Sequence, residues 1–81
     1  MITNSLEWDP KRDQLVAQIR ALPYNPDLRR MVKNIDAMVD LLSKAEVQAR
    51  AKHRPATQEL QTVNQAIADL EKWIVTAALL Q

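Results

Sequence analysis

The feature that most constrains this chain is an unbroken helix-period seam from Leu28 to Lys52. In it Leu28, Met31, Ile35, Met38, Leu42, Ala45 and Ala49 fall in turn on heptad positions a and d. Apolar residues alternating at three- and four-residue spacing over this length specify a long amphipathic helix that must lay one face on its neighbours. Val32 and Val39 widen the seam on one side and Leu41 on the other. The apolar arc is therefore broader than a two-stranded coiled coil uses and requires at least two neighbours.

Prolines divide the rest of the chain. Residues 1–9 show no usable period and are predicted to form an extended arm, with Leu6 and Trp8 as its anchors. Asp9-Pro10 starts a first helix, since an aspartate can accept from the free amides and proline has no amide to waste. Leu15, Val16, Ile19 and Leu22 form its apolar face, and Pro23 ends it. Pro23-Tyr24-Asn25-Pro26 reads as a rigid corner, because each proline pushes the residue before it out of the helical region. Asn25 then caps the second helix, with Pro26 at its first position and Asp27 in its first turn, where the helix dipole favours a carboxylate. That helix closes in Arg50, Lys52, His53 and Arg54, cations that suit the negative end of the dipole, before Pro55 forbids simple continuation.

From Ala56 onward the period resumes through Leu60, Val63, Ile67, Leu70, Ile74 and Ala77, with Ala66, Trp73 and Leu80 widening the stripe. The short connection at His53 and Arg54 makes the two long helices antiparallel neighbours. The predicted fold is all-α: a helix over 10–22 and a long hairpin of helices 26–52 and 56–80, a single three-helix, bundle-like domain. Small residues (Ala45, Ala49, Ala56, Ala66) face one another near the turn, while Leu22, Tyr24, Met31, Val32, Trp73, Ile74, Leu79 and Leu80 converge at the other end. Val75 and Leu79 leave the last turn and a half apolar nearly all round, so that segment must be covered by the first helix or by a second copy of the chain.

Composition enters through what it removes. With no cysteine there is neither a disulfide framework nor a thiolate zinc site, and with no glycine the phosphate-cradling loops are excluded. No apolar run is long enough to span a membrane, and the polar start Thr3-Asn4-Ser5 does not suit a signal peptide, so a cytoplasmic protein is expected. A folded chain of 81 residues buries only about 60 to 65% of its extended surface. Self-association is the common remedy, and a homodimer packing into a larger helical bundle is expected.

Sites of chemistry are scarce. His53 is the sole histidine, Asp36 and Asp40 share a helix face but read as solvated, and Ser43 lies ten residues from any imidazole. No catalytic residue, cofactor or metal site is assigned. Leu28-Arg29-Arg30 through Ile35-Asp36 to Leu41-Leu42 is superficially similar to the first helix of the all-helical chorismate mutases. That likeness covers about 15 residues, all of them accounted for by an amphipathic helix, and the family's later active-site pattern does not follow. The corner from Pro23 to Pro26 likewise resembles the helix-turn of type III secretion needle subunits over four residues only. Neither resemblance is adopted.

The expected function is that of a small, non-enzymatic protein-interaction module such as an adaptor, inhibitor, chaperone or assembly factor. Its expected contact residues are Leu6, Trp8, Tyr24, Trp73, Val75, Leu79 and Leu80. The alternative is a nucleic-acid-binding hairpin dimer using two basic groups on phosphates, Arg29, Arg30 and Lys33 near the corner and Arg50, Lys52, His53 and Arg54 at the turn. The net charge of +1 argues against it, although ten of the eleven basic residues precede Pro55.

Overall fold

A computed structural model describes residues 1–80. It is all-α: a 3-10 turn at Ser5–Glu7 leads into α1 (Trp8–Arg20), followed by α2 (Pro26–Lys52) and α3 (Thr57–Leu79), with no strand among the described residues. The molecule is a rod of 48 × 17 × 16 Å with a radius of gyration of 13.9 Å, against about 12 Å for a globule of this length.

The corner forms as its residues dictate. Asn25 is extended, and its side-chain oxygen accepts from the amides of Asp27 at 3.0 Å and Leu28 at 3.3 Å, satisfying two donors that have no partner in the helix. At the far end of α2 the amide of Arg54 donates to Ala49 O at 2.8 Å and that of His53 to Arg50 O at 3.4 Å, a Schellman closure. The closure needs one left-handed residue, and without glycine it falls to His53, with φ 54° and ψ 38°. α3 starts without a side-chain cap, since Ala56 has nothing to offer its free amides.

The core is one stripe running from Ile2 through the three α-helices: Ile2, Trp8, Leu15 and Ile19 pack over Leu28, Val32, Ile35, Val39 and Leu42 of α2 and Val63, Ile67, Leu70 and Ile74 of α3. On α2 the buried set steps by four and three through the Val32 and Val39 edge of the seam, not through Met31 and Met38, which are half-buried. α1 and the segment before it lie along that edge. The opposite edge carries no third neighbour, which is why Leu41 stays 63% exposed.

The N-terminal segment departs from expectation. In place of an extended arm over 1–9, Asn4 caps the 3-10 turn through Leu6 N, and α1 begins two residues before Pro10. Proline is tolerated there because the first turn of a helix has no intrahelical use for its amides. The anchors are Ile2 and Trp8, not Leu6 and Trp8. Leu6 is 84% exposed, whereas Ile2 is held by Asn64 of α3, which accepts from Ile2 N and donates to Ile2 O, both at 2.8 Å. Ser5 bonds Glu46 of α2 through its amide at 3.0 Å and through its hydroxyl. α1 thus covers the corner half of the hairpin, and the segment before it continues toward the turn.

Candidate functional site

Two concave surfaces flank the first turns of α2. The first is a groove of about 520 Å³ between α1 and α2. Its ionisable lining is cationic apart from the phenol of Tyr24: Arg12 and Arg20 from α1, with Arg29, Arg30 and Lys33 from α2. Beneath them lie Val16, Ile19 and Val32. Two of the five cations are engaged. Arg12 Nε donates to both carboxylate oxygens of Asp36, at 2.9 and 3.1 Å, and the hydrogen bond and charge of that carboxylate raise the guanidinium pKa further above its ordinary range. Arg30 sits 3.5 Å from Asp27 in an exposed pair. Arg20, Arg29 and Lys33 make no ion pair among the described residues; Arg29 lies over the ring of Tyr24 at 5.2 Å.

The second surface lies on the other side of α2, against α3. Leu28 and Met31 together with Trp73, Ala77 and Leu80 line a groove of about 420 Å³. Its polar lining is Asn25, Asp27 and Thr76. The Asn25 oxygen is taken by the α2 cap and the Thr76 hydroxyl donates back to Lys72 O at 3.0 Å, so little of this polarity is left for a ligand. Seven-residue steps continue the apolar line from Met31 to Met38 and Ala45, and from Leu80 and Trp73 to Ala66. Trp73 is 57% and Leu80 81% exposed.

The expected contact residues separate in the structure. Trp8 is corrected: at 3% exposure it is core, its indole nitrogen donating to Asp36 Oδ1 at 2.8 Å, and it offers no surface to a partner. Leu6 is exposed but stands next to Ser5, whose partner Glu46 lies about 30 Å along α2 from the corner. It therefore cannot join a patch with Leu79 and Leu80. Tyr24 belongs to the basic groove, Trp73 and Leu80 to the apolar one, and Val75 and Leu79 are exposed without α1 covering them. Arg29, Arg30 and Lys33 come together as one group, joined by Arg20 from the last turn of α1, which no pattern in the sequence singles out. Arg50, His53 and Arg54 share a shallow hollow with Glu46 at the turn, and Lys52 is exposed beside it, about 30 Å along α2 from Lys33. Asp36, read above with Asp40 as solvated, instead accepts from Trp8 and Arg12.

Among the described residues no helix is long and apolar enough to cross a membrane. Comparisons with protein-family models, with curated proteins and with solved structures find no match for this chain.

Proposed function

We propose that the chain is a non-enzymatic, cytoplasmic protein-interaction module that acts as a homodimer and carries a surface for a further protein partner. The observation that carries this reading is the open side of the hairpin, where Met31, Trp73 and Leu80 line an apolar groove that α1 leaves uncovered. The area agrees with it. The chain exposes 5859 Å², against about 5,000 Å² for an average folded monomer of 9.3 kDa. The surplus, roughly 900 Å², is close to what one side of a standard interface buries. A second copy is the natural occupant, because two antiparallel hairpins packed back to back about a two-fold axis form a four-helix bundle and bury the same stripe on both.

The nucleic-acid reading draws less support. The two basic groups lie at opposite ends of α2, and one of them shares its hollow with Glu46. Light scattering coupled to size exclusion at micromolar concentration tests the main reading. The expected mass is twice the 9.3 kDa of the chain, returning to 9.3 kDa in Trp73→Glu. A wild-type chain at 9.3 kDa throughout overturns the dimer.

A further inference from the structure

We infer that the basic groove between α1 and α2 is a binding site for an acidic, amphipathic helical segment of a partner protein. The inference rests on the reading of the chain as a protein-interaction module, but on a different surface from the dimer face.

The cations that α2 gives this groove stand where the helix dipole gains nothing from their charge. Arg29 and Arg30 follow directly on the first turn of α2, the positive end of its dipole, where cations are disfavoured and carboxylates stabilise. Arg29 and Lys33 are spaced i, i+4, a like-charge repeat that disfavours the helix. Arg20 approaches the same groove from the end of α1. Among the described residues, a chain of net charge +1 thus concentrates three cations without ion pairs in one hollow that no carboxylate lines. An anionic ligand turns that arrangement from a cost into a gain, and the guanidinium groups suit bidentate carboxylates.

The floor selects among anions. Val16, Ile19 and Val32 lie beneath the cations, so the best complement presents apolar side chains inward and carboxylates at the rim. A helix with apolar residues at i, i+3 and i+4 flanked by glutamates does both, and it can lie in the groove between two existing helices. A phosphate backbone has no apolar face to give to this floor.

Fluorescence anisotropy tests the site, with a labelled synthetic helix of roughly 14 residues, about the 20 Å length of α1, carrying leucines on one face and glutamates beside them. Competitors are the same helix with glutamine for glutamate and a mixed-sequence DNA oligonucleotide. The acidic helix is expected to bind at micromolar strength, and the glutamine helix at least tenfold more weakly. The double variant Arg29→Ala, Lys33→Ala should lose at least tenfold, while Arg50→Ala with Lys52→Ala at the turn stays within twofold. Circular dichroism confirms that each variant is folded. Equal binding of the glutamine helix, an unaffected double variant, or no binding of the acidic helix overturns the proposal. Binding of a labelled oligonucleotide, weakened in the double variant, with no binding of the acidic helix overturns the proposal and reassigns the groove to phosphates. A dimer by light scattering that ignores the acidic helix removes the groove alone, and a monomer that binds it removes the dimer alone.

Discussion

The side-chain amide of Asn64 pairs with the backbone of Ile2 as another peptide group would, accepting from its amide and donating to its carbonyl, both at 2.8 Å across 62 residues of sequence. This clasp seats Ile2 in the core beyond the reach of α1 and makes the N-terminal segment part of the hairpin.

Asn64→Ala removes both bonds and leaves the backbone of Ile2 to find water. The expected loss is about 1 to 2 kcal/mol by urea unfolding, with the Ile2 amide losing its hydrogen-exchange protection. Unchanged stability and protection would show that the clasp contributes nothing.

At Asp36 two substitutions should differ. Asp36→Asn keeps an acceptor for the Trp8 indole and gives up only the charge facing Arg12. Both members of that ion pair are more than a third exposed, so the expected loss is below about 1 kcal/mol. Asp36→Ala strands a core indole N–H and should cost about 1 to 3 kcal/mol. The guanidinium pKa is raised, so the stability this shift carries is present below the ordinary arginine value and fades only as pH climbs through the still higher folded one. Arg12 therefore adds no pH dependence through the neutral range, which urea midpoints at several pH values in wild type and Arg12→Met can check.

Two positions of the turn between α2 and α3 carry residues whose backbone role another residue fills better, His53 and Ala56. His53→Gly should stabilise the chain by about 1 kcal/mol, because glycine adopts the left-handed conformation without the Cβ clash. Ala56→Ser supplies the missing cap of α3 and should add about 1 kcal/mol more. Thermal melts of the single and double variants test both. A destabilised His53→Gly would mean that the imidazole makes an interaction that outweighs its backbone conformation.

The two tryptophans report different surfaces. In Trp73→Phe the remaining Trp8 should emit at short wavelength and resist acrylamide at any protein concentration, being 3% exposed. In Trp8→Phe the emission of Trp73 should be red-shifted and quenchable in dilute solution. It should shift to the blue as concentration rises through the dimer range. A Trp73 spectrum independent of concentration contradicts the proposed face.

The residues themselves determine the helices and their breaks. The Asn25 cap, Pro26 at the first position of α2, the cations closing that helix and the sustained three-four period are local properties, legible because caps and periodicity act within a few residues. Even Arg29, Arg30 and Lys33 could be grouped from spacing alone, whereas Arg20 could not, since it reaches their groove from another helix. Trp8 and Leu6 were indistinguishable as anchors because a segment without a period carries no face, and only Asp36, Glu46 and Asn64 on distant helices decide how it lies. The same holds for the breadth of the α2 seam. Its arc admits neighbours on the Val32 edge or the Met31 edge with similar local cost, and only the packing of α1 and Ile2 chose the first. What α1 covers became core, and what it leaves open, from Met31 across to Trp73 and Leu80, became surface. That choice depends on contacts made across the whole fold, and no stretch of sequence contains it.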